Sequence, residues 1–149
     1  MAQVSSTTNA KWNPSKTAGS IRLVYDTAAN DIDKTLTVPT DYVWEVQHVY
    51  CSWTSDATVG NRQVVLQVRD DADTVIAAYP AAAVQAASGT ETYTWGGTHE
   101  LTETVATYHH LPLMPKILPS GYDIRVYDSA AIAATDDMTV YALVIEYPA

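Results

Sequence analysis

Along much of this chain the apolar positions recur with a period of two. In RQVVLQVRD (62–70), Val64, Leu66 and Val68 fall on one side, and Gln63, Gln67 and Arg69 fall on the other. Successive side chains of a strand point to opposite faces, so the pattern predicts a half-buried β-strand. The same reading predicts strands at IRLVYD (21–26), KTLTV (34–38), TVIAAY (74–79), ETYTW (91–95), LTETVAT (101–107) and LPLMPKI (111–117). Two further segments depart from simple alternation. In WEVQHVYCSW (44–53) the apolar side is even at Trp44 and Val46, then odd at Val49, Cys51 and Trp53. One extra residue near Gln47–His48 would cause that switch, so a β-bulge is predicted there; a strand bending from one sheet into another is the alternative. The last strand is apolar on both sides, with Val140, Ala142 and Val144 against Tyr141, Leu143 and Ile145. Such a strand is covered on both faces or lays one face against a partner.

No long helical period occurs. PAAAVQAAS (80–88) offers a short helix, with Pro80 in its first turn and Gly89 after its end; an ordered loop fits equally.

One phrase is written twice. VPTDYVWEV (38–46) returns as LPSGYDIRV (118–126), 80 positions later. Pro39 and Pro119 cannot donate to a ladder, so each belongs just ahead of a strand. Asp41 and Gly121 occupy the matching turn position. After each copy a strand, a loop of small and acidic residues and a second strand follow. The expectation is therefore two equivalent hairpins, each entered through a Pro turn. Many short antiparallel strands without helices predict an all-β sandwich, specifically a jelly roll of about 8–9 strands. An immunoglobulin-like sandwich is the alternative, without its Cys…Trp…Cys signature. The expected organisation is an extended N-terminal arm over 1–20 and a single sandwich domain over 21–149.

Composition narrows the function. A chain of 149 residues can bury a core without disulfides, and its one cysteine, Cys51, permits none internally. Apolar neighbours in VYCSW predict a buried, inert thiol. The net charge is −9 and the 8 basic residues are scattered, which argues against a nucleic-acid partner. The polar N-terminus lacks the apolar run of a secretory signal, and no stretch has the length of a membrane span. No membrane partner is expected, and synthesis in a reducing cytoplasm is.

Catalytic and cofactor chemistry is sparsely supplied. The histidines are His48, His99, His109 and His110. Adjacent strand residues face opposite ways, so His109 and His110 cannot chelate together. The spacing of cupin metal ligands is absent; His99 with Glu103 and one of that pair is the remaining spatial possibility. There is no nucleophile elbow and no phosphate loop, and Gly96–Gly97 reads as a turn. Asp70, Asp71 and Asp73, and likewise Asp136 and Asp137, read as carboxylates of tight turns. The expectation is no catalytic residue, no metal and no cofactor. Trp53, Trp95 and Tyr108 are candidates for stacking on a sugar ring, with core packing as the competing role.

The first twenty residues are rich in Ser, Thr and Asn, a composition that does not build a core. Val4 and Trp12 are the apolar anchors that such an arm offers to an adjacent subunit. With this arm, VPTDYVWEVQHVYCSWT followed by GNRQVVLQVRD, and LPSGYDIRVYDS followed by DDMTVYALVIEY, the chain resembles jelly-roll capsid decoration (cement) proteins of tailed bacteriophages over roughly residues 20–147. The resemblance implies a non-enzymatic virion protein, made in the host cytoplasm and bound to the outer capsid surface. It implies the major capsid protein as partner and a homotrimer that clamps neighbouring capsid subunits. A tail, fibre or glycan-binding β-sandwich module is the alternative expectation.

Overall fold

The structure, a computed structural model, describes residues 19–29, 33–60, 62–82, 84–96, 103–105 (backbone only), 107–113, 117–129 and 136–149. Eleven strands are present: β1 (Ser20–Asp26), β2 (Asp33–Thr37), β3 (Tyr42–Thr54), β4 (Val64–Arg69), β5 (Val75–Pro80), β6 (Thr90–Gly96), β7 (Glu103–Val105), β8 (Tyr108–Leu111), β9 (Ile117–Leu118), β10 (Asp123–Asp128) and β11 (Asp137–Pro148). They form two sheets packed face to face as a β-sandwich. The larger sheet runs β1-β11-β3-β6-β8-β7, with β9 added beside β3; the smaller runs β2-β10-β4-β5. Four antiparallel pairs are nested within one another along the chain: β4 with β5, β3 with β6, β2 with β10, and β1 with β11. All pairs are antiparallel except β6 with β8, which is parallel.

The two copies of the repeated phrase are not hairpins. β3 and β4 lie in different sheets, and so do β10 and β11. Each copy is an arch that crosses the sandwich. The first strand of one copy pairs with the second strand of the other: β3 with β11, and β10 with β4. The physical reason is burial. Val49, Cys51 and Trp53 of β3 and Val64, Leu66 and Val68 of β4 all lose their solvent contact to one core. Crossing lets those two sets face each other, whereas a hairpin would set them side by side in one layer. Each fully buried side chain of this kind contributes roughly 1.5–3 kcal/mol.

The Pro turns that open the copies are twins. Tyr42 N–H donates to Pro39 O and Tyr122 N–H to Pro119 O, both at 3.2 Å. Asp41 and Gly121 have φ of 66° and 82°, the left-handed value that the third position of a type II turn requires. The turns are also joined: Val38 N–H donates to Tyr122 O at 2.8 Å, and Gly121 N–H to Val38 O at 3.1 Å. A side chain at Gly121 would press on Asp71, whose Cβ would lie 3.1 Å from the new carbon.

At the far end the arches are locked by buried polar groups. Asp136 is fully buried; it accepts from Asp56 N–H at 2.7 Å and from Arg62 Nε at 3.0 Å. Arg62, also buried, donates to Asp56 Oδ1 at 2.7 Å and to Thr58 O at 2.6 Å. The bond to Asp136 holds the Arg62 guanidinium above its ordinary pKa, against the opposing pull of burial. Asp136, expected as a carboxylate of a tight turn, is thus a buried ion-pair partner.

The bulge falls where the alternation changes. Leu143 pairs with His48 and Val144 with Val46, which leaves Gln47 as the extra residue. Burial switches from even to odd positions across it. Of the two readings of residues 80–88 the structure has the loop: no helix occurs among those described, and Arg62 and Gln85 bridge there. One other expectation fails. The strand expected over 111–117 is replaced by β8, which ends at Leu111, and by the two-residue β9.

Candidate interaction surface

The inner faces of both sheets are filled, so interaction with other molecules falls to the outer faces and edges. On the outer face of the larger sheet, strand register aligns side chains in rows. Ile21 stands beside Ile145; Leu23 beside Leu143 and then His48; Tyr25 beside Tyr141 and then Tyr50. Residues directly opposite in a ladder share a face and touch. The tyrosines form a chain of rings, with centroids 5.9 Å apart for Tyr25–Tyr141 and 6.0 Å for Tyr50–Tyr141. The face remains open to water: Ile21 is 75% exposed, Leu23 58%, Tyr25 62% and Leu143 40%. Gly19 enters at its margin, where any side chain would collide with Ile145 and Tyr147.

β1 decides how this face is to be read. Its odd positions are Ile, Leu and Tyr, and its even positions are Ser, Arg, Val and Asp. A one-residue slip would turn the apolar set inward. The register against β11 does the reverse: Ile21, Leu23 and Tyr25 point out, and Val24 is the one even side chain that packs on the core.

The outer face of the smaller sheet has different chemistry. Arg69 holds Asp123 through two parallel bonds of 2.8 and 2.9 Å and also reaches Asp73 at 3.1 Å. Arg125 pairs with Asp33, its Nε donating at 2.8 Å, and lies over the Tyr127 ring at 4.4 Å. The bond to Asp33 raises the Arg125 pKa above its ordinary value. Gln67 Nε2 donates to Tyr127 Oη at 2.9 Å.

The residues singled out from sequence separate. Val4 and Trp12 lie outside the described residues, as does His99. Trp53 and Trp95 are completely buried in the core, which corrects their candidacy for sugar stacking: no ring face of either reaches solvent. Tyr108 is 52% exposed and stands apart from them on β8. His109 and His110 point to opposite faces. His109 is stacked on Tyr93 with centroids 4.7 Å apart and pairs with Glu91, while His110 Nδ1 lies 2.7 Å from Thr94 Oγ1. Among the described residues no group of three or more His, Cys, Asp or Glu side chains is placed to hold a metal ion. Asp70 caps the β4–β5 turn, its Oδ1 accepting from the N–H groups of Ala72 and Thr74. Cys51 is buried, and burial pushes its thiol far above the ordinary range, which leaves it inert. Gly96 is the last residue of β6, and Gly97, the other half of the expected turn, lies outside the described residues.

The row Ile21, Leu23, Tyr25 was missed as a site. Its alternation is plain in the sequence, but alternation does not say which side faces inward. The two-sided apolar character of β11 was the available signal. No protein-family model matches the chain, and no curated protein sequence matches it.

Proposed function

We propose that this chain is a non-enzymatic structural protein that grips other protein through the outer face of its larger sheet. The observation carrying the proposal is the outward-turned apolar set of β1, continued by Leu143, Ile145 and Tyr141 of β11. Monomers seldom leave a contiguous apolar face in water; such faces mark interaction sites. Tyrosines supply large contact area with a polar tip, a composition suited to interfaces. In its specific form the proposal is a jelly-roll decoration protein on the outer surface of a phage capsid, with the major capsid protein as partner. The nested order β1-β11-β3-β6 against β2-β10-β4-β5 is the order that a rolled-up hairpin of eight strands gives, and it supports this form. Binding to the assembled shell alone would stabilise it by mass action, and self-association would multiply weak contacts by avidity.

The test is the copy number and position of the chain in assembled particles, seen by electron cryomicroscopy. The expected result is density on the outer shell with the larger sheet turned toward capsid protein. Its absence from the head would overturn the capsid assignment. Deleting residues 2–13 should reduce incorporation if Val4 and Trp12 anchor the arm; unchanged incorporation would remove the arm from the account.

A further inference from the structure

We propose that β1 is a self-association edge, which pairs antiparallel with β1 of a second copy about a twofold axis at Val24. This rests on the reading above only in treating the outer face of the larger sheet as a protein-contact face.

Among the described residues no strand pairs with the outward edge of β1. An edge strand presents unpaired N–H and C=O groups and is a template for another strand. Proteins usually blunt such an edge with Pro, a bulge, a very short strand or charged side chains, inward-pointing ones included. β1 is seven residues long, has no Pro and is in unbroken register with β11; its charges, Arg22 and Asp26, are the residues that a second copy must match.

The sequence of β1 is complementary to itself in one register. With Val24 opposite Val24 of the second copy, Leu23 meets Tyr25, and Arg22 meets Asp26. Each pairing occurs twice by symmetry, as an isologous contact demands. The Arg22 side chain is 59% exposed and has only a long 3.9 Å approach to Glu146, so its charge is available; Asp26 Oδ1 already takes Lys34 Nζ at 3.4 Å and Ala28 N–H at 3.1 Å, and the guanidinium of the second copy joins it on a carboxylate that is 31% exposed. Shifting the axis to Leu23 would set Arg22 against Val24 and lose the charge match. In the Val24 register Leu23 and Tyr25 lie on the outer face. The apolar rows then run across the joint into the second copy, and the two larger sheets become one. Because the contact is twofold, it leaves the rows on β11 and β3 free for a different protein.

Reversing one charge tests the register. Arg22→Asp sets carboxylate against carboxylate at both charged pairings of the joint, and Asp26→Arg sets guanidinium against guanidinium. Each variant alone should dimerise about tenfold more weakly than the wild type in sedimentation equilibrium. An equimolar mixture of the two variants should recover wild-type dimerisation, because both pairs in the mixed dimer are carboxylate against guanidinium. Circular dichroism melts check that each variant is folded, Asp26→Arg above all, since it sets a guanidinium beside the buried Lys34 ammonium; Arg22→Asp alone carries the test if Asp26→Arg does not fold. A monomeric wild type, an unaffected single variant, or a mixture that stays as weak as its components would each overturn the proposal. Leu143→Lys separates it from the broader reading: loss of particle incorporation with β1 dimerisation intact would leave both standing. Intact incorporation of the wild type together with an unaffected single charge variant would reject only the strand pairing.

Discussion

Each outer face of this sandwich takes one strand from each copy of the repeat, β3 and β11 on one side and β4 and β10 on the other, yet the faces end in opposite chemical states. On the smaller sheet each cation has its carboxylate: Arg69 with Asp123, and Arg125 with Asp33. On the larger sheet the register that fills the core also turns Ile21, Leu23 and Tyr25 outward. The first face is dominated by these pairs, with Val75 and Ile76 exposed along its β5 edge. The second leaves apolar area in water that another protein surface would cover, at roughly 25 cal/mol per Å² buried. The comparison teaches that the repeat alone does not decide which outer face is left apolar.

The largest effect comes from breaking the joint that holds the faces back to back. Asp136→Ala leaves the Arg62 guanidinium buried with its main partner gone. A loss of about 3–5 kcal/mol is expected in urea unfolding. Next is the ion-paired face itself. Asp123→Ala removes both carboxylate bonds to the half-buried Arg69 and should cost about 1.5–3 kcal/mol without changing association. Arg125→Ala breaks a more exposed pair and should cost at most about 1 kcal/mol, again without effect on association. A change in oligomeric state from either variant would erase the contrast between the faces.

Much of this fold was legible in the sequence, because local rules governed it. The bulge at Gln47 followed from a change of parity, and the positive φ at Asp41 and Gly121 from the turn chemistry of Pro-Thr-Asp and Pro-Ser-Gly. The arches were not legible. Loops such as 55–63 and 129–136 connect a hairpin or a crossing equally well; what decides is Asp136 and Arg62 meeting across 74 positions of chain. The parallel pairing of β6 with β8 was hidden for the same reason, since ladder direction is a tertiary outcome. The candidate surface was half legible. β11 announced an apolar outer side, but nothing local says that β1 shows its apolar set to water.

The smallest predicted effect concerns acid. Asp70 at the β4–β5 turn has its carboxyl held below the ordinary 3.8, chiefly by the bond from Thr74 N–H. Its contribution is therefore complete above about pH 3.8 and is lost as pH falls through the lower folded value. A carboxyl titration followed by NMR should place Asp70 below the other exposed aspartates; Asp70→Asn should abolish the acid-dependent loosening of that turn.

The account turns on whether the outer face of the larger sheet is the gripping face. The most direct measurement is competition for incorporation into assembled particles between wild type and Leu143→Lys, with Arg125→Ala as the control from the opposite face. Leu143 is surface-exposed, so its replacement should change stability by no more than about 0.5 kcal/mol. The account predicts that Leu143→Lys is displaced by wild type at least about tenfold, while Arg125→Ala competes as an equal. Equal incorporation of Leu143→Lys, or displacement of Arg125→Ala in its place, would contradict it.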